Sequence, residues 1–151
     1  MEEDQAQDAR YAPVVATIFT KIIDGEIPGH FVWQDDYCVA FLSINPITTG
    51  HALVVPREEV DHWVDLEPDL AAHLMVVARH IGLAQQHAFR APRIGMEIAG
   101  FEVPHCHLHV LPIWGEDDLH LSRSARSVEP ETLVAAALQI RGALDELGLE
   151  P

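Results

Sequence analysis

The run Pro104-His105-Cys106-His107-Leu108-His109-Val110-Leu111-Pro112 constrains this chain more than any other feature of it. In an extended strand, residues i, i+2 and i+4 point to one face, with about 6.6 to 7 Å between successive members. The spacing therefore places three imidazoles on one side of a strand over Val103 to Leu111 and Cys106, Leu108 and Val110 on the other, where they build core. Three adjacent imidazoles are expensive as packing, because each buried ring needs hydrogen-bond partners and protonated rings repel one another. The row is therefore read as a functional site. Two chemistries fit it. Neutral imidazole is a common metal ligand, and His-x-His on a strand can chelate. Alternatively, an unprotonated imidazole attacks phosphorus while its neighbours donate hydrogen bonds to the charged oxygens.

The rest of the chain supplies a sheet for that strand. Ile18-Phe19 and Ile22-Ile23 recur at helical spacing until Asp24-Gly25 and Pro28-Gly29 break it, which predicts a short helix or turn between Thr17 and Gly29. His30 to Gln34 and Tyr37 to Leu42 flank Asp35-Asp36 as a hairpin, and His51 to Val55 reads as a buried strand stopped by Pro56. Pro68 opens a long helix with Leu70, Leu74, Val77, Ile81 and Ala84 on one stripe. His73, His80 and His87 lie seven apart on that helix and are expected on its solvent side. Ile94 to Ala99 and Val103 to Leu111 give two more strands joined at Gly100, and Pro130 starts a second long helix ending near Gly148. The expected class is α+β with a five-stranded antiparallel sheet.

The chain has 151 residues, 48% of them hydrophobic, which suits one domain with one buried core. Its longest apolar runs fall far short of the roughly 20 residues of a membrane span, and the acidic stretch from Met1 to Arg10 lacks the apolar segment of a secretory signal. A cytoplasmic protein with a flexible acidic tail over residues 1–13 is the expectation. Cys38 and Cys106 are too few for a disulfide framework and are expected as reduced, buried thiols. A net charge of −15 disfavours a nucleic-acid polymer as partner, since phosphate-backbone binding needs clustered Lys and Arg. A small phosphorylated ligand can still be held by histidines and backbone N–H groups.

The segment His105 to Leu111 matches every position of His-φ-His-φ-His-φ-φ, with φ apolar, and so resembles the signature of the histidine-triad (HIT) superfamily. Ile18 to Pro28 resembles that family's opening segment, Asp35-Asp36 with Val39-Ala40-Phe41 its first hairpin, and Pro46 followed by Gly50 to Pro56 its central strand. The likeness runs from about Thr17 to Pro112. It implies a HIT-like domain over 14–114, a C-terminal extension over 115–151 whose helix packs on it, and a dimer with one sheet continuous across two subunits. It further implies hydrolysis or transfer at the α-phosphate of a nucleotide conjugate, either a nucleoside phosphoramidate or a dinucleoside polyphosphate, without a cofactor. In that mechanism His107 is the nucleophile, His105 and His109 flank it, and His51 completes the site. Phe19, Ile22 and Phe41 correspond to the wall of the base pocket, and Gly100 offers backbone N–H groups to an anion.

Several positions depart from the family pattern. Thr17 and Thr20 stand where many members of the Hint branch carry two zinc-holding cysteines, so no metal is expected there. Ser43 stands where relatives hold the ribose with Asp or Asn, which leaves that contact to serine or to Asn45. Phe101 and Glu102 replace polar residues that contact the phosphates or the leaving group, and a carboxylate facing a phosphate is repulsive unless protonated or paired. These departures motivate two alternatives to an enzyme: a nucleotide-binding regulatory module with little catalysis, and a metal-binding protein using the histidine row. Trp114 is left between covering the site, lying across the dimer interface and packing.

Overall fold

The computed structural model describes residues 15–125 and 127–151, so the segment expected to be a flexible acidic tail lies outside the described residues. A short helix α1 (Ile18–Ile23) precedes a hairpin of β1 (Phe31–Gln34) and β2 (Cys38–Leu42) and then the central strand β3 (Ala52–Pro56). The long helix α2 (Pro68–Phe89) is followed by β4 (Arg93–Glu97), β5 (Leu108–Ile113) and α3 (Pro130–Glu146). The five strands form one sheet in the order β1-β2-β3-β5-β4, antiparallel at every pairing. The expected α+β class and five-stranded antiparallel sheet are what the chain adopts.

Local chemistry explains the joints. Asp35 turns the first hairpin: its Oδ1 accepts the N–H groups of Tyr37 and Cys38, and its Oδ2 accepts Trp33 Nε1–H. Burial opposes the charged form of Asp35, yet these bonds and one from His73 hold its carboxyl well below the usual range. At the entry to β3, Gly50 has φ +89°, and an added Cβ would stand 2.3 Å from the ring of Phe89. Only glycine fits both conditions. Helix α2 starts with Pro68 in its first turn and ends at Arg90, in the left-handed conformation at φ 54°.

One face of the sheet packs on α2, with α3 lying on α2 and β1. Cys106, Leu108 and Val110 join Leu74, Val77 and Ile81 in that core, as alternation requires. On the opposite face a smaller cluster gathers Phe19 from α1 with Val39, Phe41, Leu53 and Val55. The histidines belong to this second side.

Two expectations need correction. First, β5 begins at Leu108 and not at Val103, so His105 and His107 precede the strand and only His109 lies in it. Pro104 has no N–H to give, the His105 N–H turns back to Val103 O, and the Cys106 N–H is taken by Val60 O at 2.7 Å. The segment leaves the ladder for the loop after β3. Likewise β4 stops at Glu97, two residues short of the expected Ala99, so Gly100 sits in the loop of residues 98–107 and not at a tight junction. Second, His73 and His80 are not on a free helix face. His73 Nε2 donates to Asp35 Oδ2 at 2.7 Å, and His80 stacks on Trp33 with ring centroids 5.5 Å apart. The solvent-facing residues of α2 instead include Ala72, Met75, Val76, Arg79 and Gln86, while His73 and His80 are half-buried where the helix meets the first hairpin. His87 is exposed, as expected, and bonds Glu146 on α3. Among the described residues, no helix is long and apolar enough to cross a membrane.

Candidate active site

His51, His105, His107 and His109 are all buried, and together they form one connected group. The rings of His107 and His109 have centroids 5.0 Å apart, and those of His51 and His109 5.1 Å. Antiparallel pairing sets Leu53 opposite His109, which brings the start of β3 and its preceding His51 beside β5. Buried Gln85 fastens this arrangement from α2: its Nε2 donates to Gly50 O at 2.9 Å and to Val110 O at 2.8 Å. Those carbonyls belong to the chain neighbours of His51 and His109.

Hydrogen bonds assign the tautomer of each imidazole. His51 Nδ1 accepts the Ile47 N–H at 3.1 Å, so its proton is on Nε2 and is donated to His109 Nδ1 at 2.9 Å. His109 in turn carries its proton on Nε2. Burial, reinforced by the neighbouring histidines, pushes His51 down to about 3 and His109 down to about 4, so both are neutral at pH 7. His105 Nε2–H donates to Pro56 O at 2.7 Å, leaving Nδ1 to accept from Thr17 Oγ1–H at 2.7 Å. Burial lowers the pKa of His105 too. His107 Nδ1–H donates to His105 O at 2.7 Å, which puts the lone pair of its neutral form on Nε2.

A cavity of about 340 Å³ opens beside His107, lined by Asp61, His62 and Trp63 on one side and by Ala99, Gly100 and Phe101 on the other. Gly100, at φ +89°, therefore reaches the site, and Phe101 is almost fully exposed at its mouth. Glu102 is exposed and does not line this cavity. Cys106 does line it, but burial pushes its thiol up to about 11, which removes it as a nucleophile at neutral pH.

Phe19 meets His107 edge-on at 4.9 Å, His105 at 5.9 Å and Phe41 at 5.5 Å, and Ile22 packs on the same cluster. Ser43 is half-buried next to His51: its N–H donates to His51 O, and its Oγ accepts the Asn45 N–H at 3.2 Å. Trp114 is exposed beyond β5, and its backbone N–H donates to Asp118 Oδ2 at 2.8 Å.

Residues 24–114 match the HIT domain family model. The chain belongs to the HIT family. An uncharacterised HIT-like protein of Borreliella burgdorferi is 33% identical over 131 residues, which cover 82% of this chain and 94% of that protein. Among solved structures, a Zn-bound histidine triad family protein from Mycobacterium smegmatis superposes with TM-score 0.76 at 26% identity, covering 88% of this HIT chain and 96% of that one. A hypothetical histidine triad nucleotide-binding protein from Sulfolobus tokodaii gives TM-score 0.73 at 27% identity, covering 85% and 92%. The zinc of the mycobacterial protein raises the question of a metal here. At Thr17 and Thr20 this HIT chain offers hydroxyls in place of thiolates, and both are engaged, Thr17 Oγ1 with His105 and Thr20 Oγ1 with Glu59. That donor set does not fit a thiolate-rich tetrahedral zinc site.

Three groups at the site escaped the sequence reading. Asp61, His62 and Trp63 follow a strand in what reads as plain loop, with no periodicity to mark them. Glu59 is an ordinary surface carboxylate until folding sets it beside α1. Glu97 stands opposite His109 in the β4–β5 register, and its buried Oε2 makes no hydrogen bond. Strand register is the signal that finds it, and register is invisible before the strand bounds are known.

Proposed function

We propose that this protein is a nucleotidyl hydrolase or transferase acting at the α-phosphate of a nucleotide conjugate, with His107 as nucleophile. The observation that carries this reading is the bond from His107 Nδ1–H to His105 O, which reserves the Nε2 lone pair of a cavity-lining ring for attack. Nε2 forms a bond to phosphorus as the bond to the leaving group breaks. Water or another acceptor then attacks the nucleotidyl-histidine and releases His107. His109, neutral with its proton on Nε2, donates to the phosphate or the leaving group without adding charge, and His51 fixes that tautomer. His105 supplies the carbonyl that orients His107. Phe19, Ile22 and Phe41 wall the base side, Ser43 or Asn45 holds the ribose, and Gly100 presents backbone to the anion. We assign this site to the unit over 14–114, with 115–151 as an extension whose helix packs on it.

The leaving-group side favours one of the two substrate types. Its cavity contains Asp61 and aromatic rings but no Lys or Arg among its lining residues. A polyphosphate leaving group would meet a like charge there, whereas an amine would not. Nucleoside phosphoramidates are therefore expected to exceed dinucleoside polyphosphates in kcat/KM by roughly tenfold or more.

Incubation with a panel of both substrate types, neutral quenching and intact-protein mass measurement tests the reading. A nucleotide-mass adduct is expected in the wild type and not in His107→Asn, with turnover lost by roughly a thousandfold or more in that variant. Saturable nucleotide binding without adduct or turnover would reassign the site to a regulatory binding role.

The sheet edge bears on the assembly. β4 is a terminal strand, and beside it a groove of about 500 Å³ between α2 and β4 carries Met75, Leu83 and Met96. Pairing β4 with its two-fold copy would extend the sheet across two subunits and cover this groove, which supports a homodimer. The two free, buried cysteines, Cys38 and Cys106, accord with residence in the reducing cytoplasm.

A further inference from the structure

We propose that Glu59, Thr17 and Thr20 are positioning residues forming a metal-independent hydrogen-bond network that orients His107 through His105. The proposal rests on His107 being the nucleophile, and each link of the network is a short contact. Glu59 Oε1 accepts Thr17 N–H at 2.9 Å and Thr20 Oγ1–H at 2.5 Å, so one carboxylate oxygen clamps the first turn of α1. Thr17 Oγ1 accepts Thr20 N–H at 3.1 Å and has a single proton to give. That proton goes to His105 Nδ1, because His105 Nε2–H is already committed to Pro56 O. The His105 carbonyl then accepts His107 Nδ1–H. A surface carboxylate is thus linked to the reacting ring through two hydroxyls, one imidazole and one carbonyl.

His105 is fully buried on a segment outside the strand ladder, so no sheet hydrogen bonds fix it. Its ring bonds substitute for them. Without the Thr17 hydroxyl, Nδ1 of a buried ring has no donor, and the ring gains by turning or changing tautomer. Either change shifts the carbonyl that sets the His107 tautomer. The same clamp holds α1, whose Phe19 packs on both His105 and His107. Glu59 is exposed, and hydrogen bonds from Thr20 and Thr17 keep its carboxyl below the usual range, so the network persists at neutral pH. Where a thiolate-held zinc would tie the first turn of α1 to His105, this chain uses oxygen atoms and protons.

The test is nitrogen-15 NMR of the histidine rings in the full chain, combined with steady-state kinetics. In the wild type, His105 is expected protonated at Nε2 and His107 at Nδ1, unchanged by EDTA. Thr17→Val is expected to scramble both tautomers and lower kcat roughly tenfold with KM within about twofold, while Thr17→Ser restores both. Glu59→Gln keeps the accepting oxygen and is expected within about twofold of wild type, while Glu59→Leu lowers kcat about fivefold. Because Glu59 is exposed, its variants keep the test decisive if Thr17→Val fails to fold. Stoichiometric zinc in protein purified without an affinity tag, or wild-type tautomers and kcat in both Thr17→Val and Glu59→Leu, would overturn the proposal. If no nucleotide is turned over by the wild type, the enzymatic reading fails separately, and the ring tautomers still decide the network.

Discussion

Four buried imidazoles within one site make the protonation of single residues a stability matter as well as a chemical one. His51 and His109 are held neutral in the fold, at about 3 and about 4, against 6.5 for an ordinary histidine. Below 6.5 the unfolded chain binds protons that the folded chain refuses, so stability falls as pH drops from about 6.5 towards 4. The loss across that window is on the order of several kcal/mol, since each tenfold difference in proton affinity between the two states is worth about 1.4 kcal/mol. Urea midpoints measured every half unit of pH should show this decline, and His51→Gln should flatten it. A midpoint independent of pH between 6.5 and 4 would contradict the neutral pair. At this scale the sequence was highly legible, because the His-φ-His-φ-His spacing named three of the four rings and the Gly50-His51 segment the fourth. The partners of those rings were not legible. Thr17, Pro56 and Ile47 act through a hydroxyl, a carbonyl and an N–H that nearly any sequence could supply.

Among the elements, alternation and helical stripes located every strand and both long helices, because those patterns reflect which side must be buried. Edges were lost where a bond from elsewhere in the chain competes with the ladder. Val60 O captures the Cys106 N–H, and β5 accordingly starts at Leu108. The joint between α2 and the sheet depends on Gln85, a polar residue on an apolar stripe that periodicity alone would dismiss. Gln85→Leu leaves the Gly50 and Val110 carbonyls without their donor and is expected to cost about 2 to 4 kcal/mol in denaturant unfolding. Because those carbonyls flank His51 and His109, the nucleotide adduct rate should fall in the same variant. Unchanged stability would mean that the buried amide is replaceable by packing.

For the whole molecule, the proposed dimer turns on the edge strand β4. Light scattering of the full chain should give the mass of a dimer, and Met96→Asp, which puts a charge beside the groove next to β4, should shift it towards monomer with the far-ultraviolet spectrum retained. A wild-type monomer at micromolar concentration would remove the continuous-sheet dimer. In the sequence, the expectation of a dimer came only through family likeness, since an unpaired edge exists only once strand order is known.

The loop of residues 98–107 has a consequence for how such a protein changes over generations. His109 is tied to the sheet, but one wall of the cavity beside His107 is loop, and Gly100 and Phe101 contribute little to the core. Most substitutions at Ala99 and Phe101, both exposed and lining the cavity, should leave folding yield intact while altering which conjugates are accepted, whereas Gly100 at φ +89° should tolerate few. On the proposed function, the part that selection must keep for stability is thus separate from the part it can vary for substrate. A saturation library over Ala99 and Phe101 should show broad tolerance in abundance and wide divergence in preferred leaving group.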